Sequence, residues 1–236
     1  MDQVFDSLEN GISKPMTELE FYKHIAIISS IIKDGHTIIL PSPTNINFHY
    51  SMSHFLPYHF AILNHQLFID MFYTHDGSIP IGSEIIRINH VEVTEIIKQL
   101  GTRLVRDGYN LTYPNWILNN YFRQYYSFIY DHPDNYVIDY KTNGQVFTAT
   151  IKALPIDSIF YYRQKHYPNK TFSNLPNDGL KLNFINENNY AILTIKDFQN
   201  DVLKKDYKQN VKSVIALFFE QIKNSQTENI ILDLRN

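Results

Sequence analysis

The sequence predicts a mixed fold, α+β passing into α/β, in three parts. Residues 1–57 read as an N-terminal helical segment with a short strand, and 58–154 as a β-rich domain with a helical insertion at about 106–134. Residues 155–236 read as the start of a parallel α/β layer. Three observations carry this. Apolar residues recur at helical spacing before residue 33. Tyr136–Tyr140 and Gln145–Ile151 flank Asn143-Gly144, the strongest short hairpin signal. Leu180–Ile185, Tyr190–Ile195 and Ile230–Leu234 are strand-like, and Tyr207, Val211, Val214, Phe218 and Ile222 form a helical stripe between the last two.

Composition excludes several classes. At 236 residues and 44% hydrophobic the chain can bury a sizeable core. Its 21 Lys+Arg against 24 Asp+Glu leave a net charge of -3, so no basic footprint points to nucleic acid. The lack of cysteine excludes disulfides, thiolate nucleophiles and cysteine-ligated zinc. No apolar run approaches the roughly 18–20 residues of a membrane span. Met1-Asp2-Gln3-Val4 has neither a basic n-region nor a signal-peptide core.

In the first part, Val4, Phe5, Leu8 and Ile12 predict a short amphipathic helix broken at Ser13-Lys14-Pro15. Thr17 and Glu20 form a T-x-x-E capping box for a second helix, with Phe21, Ile25, Ile28 and Ile32 as its buried stripe. Gly35 is placed to end that helix in a left-handed conformation. His36 is then delivered to a helix-to-strand corner, ahead of a strand Thr37–Leu40, where an imidazole can serve as a general base. Residues 41–57, with Pro41, Pro43 and Pro57, read as a boundary loop.

In the second part, Phe60–Leu63, Gln66–Ile69 and Ile79–His90 supply strands and turns. Thr94 can cap a helix with Ile97, Leu100 and Leu104 inward, and a further helix follows Pro114. His49, His54, His59, His65 and His75 make no H-x-H or H-x-x-x-H pair, so no metal is expected. In the third part, residues 155–179 read as an irregular crossing. The strand–helix–strand that follows it reads as a βαβ unit with parallel strands. One helix cannot cover both faces of a parallel sheet, and chemistry in such sheets sits beyond the strand carboxyl ends. The expectation is that the chain stops just before its own active-site loop.

Three stretches in order resemble the C-terminal-processing and tricorn-core serine peptidases. Phe21-Tyr22 through Asp34-Gly35-His36-Thr37 is similar to the D-G-H-T corner of tricorn-like members. Gly82-Ser83-Glu84-Ile85-Ile86-Arg87-Ile88-Asn89 is similar to the G-[DS]-x-I-x-x-I-N stretch of a PDZ-like domain. Tyr190–Ile195 and Ile230–Asn236 are similar to the strands before the D-L-R-x-N-x-G-G motif.

The resemblance implies a PDZ-like domain over 58–154 and the beginning of a crotonase-like ββαβ catalytic core over 155–236. It implies serine acyl transfer on a peptide or protein substrate, with His36 as general base, and no cofactor. The serine and the glycine-rich oxyanion loop would lie after Asn236. Asp233 and Arg235 match positions before that loop, and an ion pair at the strand end is expected of them. No G-L-G-F carboxylate loop is present, so terminal-carboxylate capture is not implied. A peptide could instead add as a strand beside the 94–105 helix. An extracytoplasmic location is implied by resemblance alone, and oligomeric state is not legible. The competing reading is a non-catalytic peptide-binding protein using the PDZ-like groove.

Overall fold

Thr17 and Glu20 cap one another at the head of a helix. The Glu20 amide donates to Thr17 Oγ1 at 3.3 Å, and the Thr17 amide and hydroxyl donate to Glu20 Oε2 at 2.7 and 2.8 Å. The chain is described here by a computed structural model covering residues 2–12, 14–130, 132–168, 178–185 and 189–235, so Ser13 and Asn236 lie outside the described residues. It divides into two units, Met1–Pro168 and Asn169–Asn236. Both mix helices with sheets, which is the α+β class.

The first unit begins with α1 (Asp2–Gly11), α2 (Glu18–Ile25), α3 (Ile27–Ile32) and α4 (Pro43–Met52). The inward stripe of α2–α3 is Tyr22, Ala26 and Ser29, one residue on from the expected stripe, and Phe21 and Ile32 are exposed. Tyr22 selects this face because its ring meets Phe128 edge-on at 5.6 Å. The left-handed residue after α3 is Lys33 (φ 59, ψ 36) rather than Gly35. No strand forms over 37–40. The Ile39 amide is taken by Ser29 Oγ at 3.3 Å instead of by a neighbouring strand. The expected loop after residue 41 is instead α4, opened by Ser42 as N-cap with Pro43 at its first position.

His49 on α4 is 5% exposed. Its Nδ1 and Nε2 lie 3.2 Å from Ser53 Oγ and Ser127 Oγ respectively. Ser127 spends its proton on the Gln124 carbonyl at 2.7 Å, so Nε2 donates to it and Nδ1 accepts from Ser53. Burial, and then the charge of His132 whose ring is 4.4 Å away, holds the His49 pKa down to about 4. The unfolded chain protonates this residue near its ordinary value of 6.5, and the native chain only near 4. The native state is therefore expected to lose stability as pH falls from about 6.5 to 4, by at most about 3 kcal/mol. Urea midpoints at pH 7 and pH 4.5 check this, and His49→Gln should flatten the difference.

The strands of this unit are β1 (His54–Phe55), β2 (Tyr58–Leu63), β3 (Gln66–Phe72), β4 (Glu84–Ile88), β5 (Val91–Glu92), β6 (Asn135–Thr142), β7 (Gln145–Lys152) and β8 (Leu154–Pro155). The main sheet runs β2-β3-β4-β6-β7, antiparallel throughout, with β5 paired to β4. Three of its turns place consecutive residues at positive φ, Asn64-His65, Asn89-His90 and Asn143-Gly144, the geometry that matches strand twist in two-residue hairpins.

Helices α5 (Val93–Gly101) and α6 (Thr112–Ile129) pack on this sheet. Glu92 rather than Thr94 is the N-cap of α5. Ile69, Ile88 and Ile138 from the sheet meet Ile96, Leu100, Leu118 and Phe122 from the helices, each at most 3% exposed. Each such side chain contributes about 1.5–3 kcal/mol. Two irregularities matter below: β2 bulges between His59 and Phe60, and α6 is interrupted at Tyr121 (φ −130, ψ 20). Trp116, half-exposed on α6, stacks on Tyr113 with ring centroids 6.0 Å apart.

The expected irregular crossing after residue 155 is in large part a helix, α7 (Ile156–His166). Ile159 anchors it in a small core with Phe55, Met71 and Tyr73, and β1 pairs with β8 beside it. Residues 169–177 lie outside the described residues.

The second unit contains β9 (Leu180–Ile185), β10 (Tyr190–Ile195), α8 (Asn200–Asp206), α9 (Val211–Lys223) and β11 (Asn229–Asp233). The sheet order is β11-β10-β9, with β9 antiparallel and β11 parallel to β10, so the expected parallel pair is present. Residues 186–188 lie outside the described residues. The helix expected from Tyr207 onward starts four residues later, as α9 at Val211, and α8 precedes it where no helix was expected. Lys208 takes a positive φ, and Asn210 starts α9 by accepting the Ser213 amide at 3.3 Å.

Candidate functional site

The corner carrying His36 is built by two segments 72 residues apart. Lys33 turns the chain out of α3, and its carbonyl accepts the Gly108 amide at 3.0 Å. Its ammonium sits 3.8 Å over the Tyr109 ring. Asp107 Oδ1 accepts the Gly35 amide at 2.8 Å. A Cβ on residue 35 would stand 2.8 Å from both Asp107 oxygens, so any other residue would push this carboxylate from its place against the Gly35 amide. The glycine is required by close approach, not by a left-handed φ.

Asp34 organises the other side. Its Oδ1 accepts the His36 amide at 3.2 Å and its Oδ2 accepts the Thr37 hydroxyl at 2.5 Å. The Thr37 hydroxyl first, and the His36 amide second, hold the Asp34 carboxyl below its ordinary range. The carboxylate that fixes the loop also lies 3.6 Å from His36 Nδ1. That is an ion-pair distance, longer than a hydrogen bond. The imidazole is 95% exposed, and among the described residues its Nε2 has no hydrogen bond. A ring with a carboxylate beside Nδ1 and a free Nε2 can accept a proton from a hydroxyl and return it to a leaving group.

Asp34, His36 and Asp107 bring ligating atoms within 4.8 Å of one another. Three of the four carboxylate oxygens here already accept Gly35, His36 and Thr37, so a cation would compete with the bonds that hold the corner. Among the described residues the other histidines do not join such a cluster. His49 is inside the fold, His54 lies 3.7 Å from Asp134, and His59 lies 3.2 Å from Asp70.

Asp233 and Arg235, at the end of β11, form a fork, with Arg235 Nε and Nη2 donating to the two carboxylate oxygens at 2.7 and 3.0 Å. This guanidinium pulls the Asp233 carboxyl down to about 2. Along α5 runs an open depression of about 430 Å³, lined by Thr94, Ile97, Lys98, Leu111 and Asn115 among others. Sequence reasoning missed Asp107 and Lys33. Asp107 carries no local signal, since its role depends on a contact across 72 positions.

No protein-family model matches the chain, and none of the characterised proteins compared with it does. Its fold is similar to that of CPAF, a serine protease of Chlamydia. A serine-to-alanine mutant of CPAF superposes with a TM-score of 0.55 at 13% identity, over 99% of this chain and 50% of that one. Mature CPAF alone and mature CPAF complexed with lactacystin each give 0.55 at 12% identity, over 99% of this chain and 49% of theirs. The chain thus spans about half the length of the solved structures it matches, and at this identity the likeness is one of fold.

Proposed function

We propose that these 236 residues are the base-bearing portion of a serine peptidase that cleaves peptide bonds by acyl transfer. His36 is the general base. It removes the proton from a serine hydroxyl as that oxygen attacks the peptide carbonyl, and returns it to the departing amine. Asp34 is the carboxylate beside the ring, 3.6 Å from Nδ1. The serine and the backbone N–H groups that receive the carbonyl's charge come from sequence outside these residues. In this reading residues 58–154 act as a PDZ-like module, 155–236 open a crotonase-like core, and the complete protein works outside the cytoplasm.

The observation that carries the reading is the fold shared with a serine protease over 99% of the chain. A second contribution, the seating of a peptide beside α5, is supported by the open depression between α5 and the start of α6.

The complete polypeptide is expected to hydrolyse casein and to be labelled on one serine by a fluorophosphonate. The 236-residue chain alone is expected to do neither, because losing nucleophile and oxyanion donors together costs many orders of magnitude. Serine-directed hydrolysis by the 236-residue chain would refute the division of labour. Absence of both reactions in the complete polypeptide would leave only peptide binding.

A further inference from the structure

Arg123 on α6 is a half-buried cation for which no ion pair is present among the described residues. Its Nη1 is closed off from solvent and has no hydrogen-bond partner among the described residues. Charged neighbours that act on it are cationic, and the residues around it are largely aromatic or neutral amides. The Tyr73 ring centroid lies 5.5 Å from the guanidinium carbon, and Arg163, itself engaged elsewhere, adds positive charge nearby. Burial first of all pushes the Arg123 pKa down, yet an arginine keeps its proton in a protein. A polar nitrogen sealed from water without a hydrogen bond is costly, and a ligand that pairs with it removes that cost.

The guanidinium lines a cavity of about 110 Å³. That is room for a small organic molecule, well beyond a single water. Its walls include Tyr50 of α4, Tyr58 and Phe60 of β2, and Ile156 and Phe160 of α7.

Two backbone irregularities of this unit meet here. Tyr58, His59 and Phe60 of β2 line the cavity, and the bulge of β2 falls between the last two. Asn119 through Gln124 of α6 line it from the other side, and the interruption of α6 falls among them at Tyr121. A strand bulge and a helix break thus both border this one cavity.

We propose that this cavity binds a small organic monocarboxylate, with its two oxygens forked by Arg123 and its apolar part against the rings of Tyr50, Phe60 and Phe160. A single free guanidinium matches one negative charge and the planar spacing of a carboxylate. The lining has no lysine and is largely aromatic, which suits an acid with an apolar body better than a phosphate dianion. The carboxylate could belong to a free acid or to the terminus of a short peptide. This inference is independent of the peptidase reading, since it needs neither His36 nor a serine.

Thermal unfolding of the 236-residue chain tests it, with phenylacetate as probe. At ten times the dissociation constant the midpoint should rise by about 4 °C. Phenylacetamide and inorganic phosphate at the same concentration should leave it unmoved. Arg123→Met should lose the rise while its unliganded midpoint stays equal or increases, because the nitrogen sealed without a hydrogen bond is gone. If Arg123→Met does not fold, Arg123→Lys keeps the charge without the fork and should weaken binding at least tenfold. A tripeptide ending in phenylalanine, with free or amidated carboxyl terminus, distinguishes the sources. Tighter binding of the free-acid peptide than of phenylacetate assigns the site to peptide ends, and the reverse assigns it to free acids. An equal rise with phosphate, an unchanged rise in Arg123→Met, or no rise with any carboxylate would overturn the proposal.

Discussion

His36→Ala in the complete polypeptide is expected to lower kcat for peptide hydrolysis by about 10³-fold or more, since a positioned base supplies roughly 10²–10⁴ of the rate and the hydroxyl it activates is inert without it. The fold should not notice. The side chain is 95% exposed, and the bonds that build the corner run through the backbone of residues 33–36 and the side chains of Asp34, Thr37 and Asp107. Surface changes of this kind fall within about ±0.5 kcal/mol. The check is paired: kcat on a quenched peptide, and the urea midpoint of the same variant. Full activity with an unchanged midpoint would assign the base to another residue. Lost activity with a large fall in midpoint would mean that His36 supports the fold.

Phe128→Ala is expected to cost about 3–5 kcal/mol, the range for removing a fully enclosed aromatic side chain. Phe128 is 0% exposed. Its ring meets Tyr22 edge-on at 5.6 Å, Tyr125 at 6.1 Å and His49 at 6.0 Å, so one side chain of α6 holds α2 and α4 together. Little else buried joins these helices: the cluster contains Tyr22, Ala26 and Phe128, with Leu19, Ile39 and Ile46 half-buried around it. The loss should therefore appear as early proteolysis within residues 14–52, as well as a lower urea midpoint. That segment carries His36, so the variant should also lose activity, in parallel with opening of the segment. A shift below about 1 kcal/mol would show that the helices are held by other contacts.

Where the chemistry of a turn or cap is local, the sequence was sufficient. Thr17 and Glu20 needed only each other, Asn143-Gly144 only its two strands, and the parallel pairing of β10 with β11 only the helical stripe between them. Where two faces of one helix were both apolar enough, tertiary contact decided. Phe21, Ile25, Ile28 and Ile32 made the stronger pattern, yet Tyr22, Ala26 and Ser29 face inward because Phe128 receives Tyr22. Helix α4 has no apolar stripe to read. Its start was signalled by Ser42-Pro43, and its inward residue is a histidine whose burial depends on hydroxyls at Ser53 and Ser127. The candidate site was half legible: Asp34 and His36 are neighbours in sequence, whereas Asp107 reaches Gly35 only through the fold.

The lone tryptophan sets how this molecule can be watched. Trp116 stacks on Tyr113 and meets Tyr121 edge-on at 6.2 Å, the residue at which α6 is interrupted. Every tryptophan photon therefore reports on one helix of the first unit, and Asn169–Asn236 is dark in that channel. A single cooperative fluorescence transition would be no evidence that the two units unfold together. Circular dichroism, or a tryptophan introduced into the second unit, has to be recorded beside it before one free energy is assigned to the whole chain.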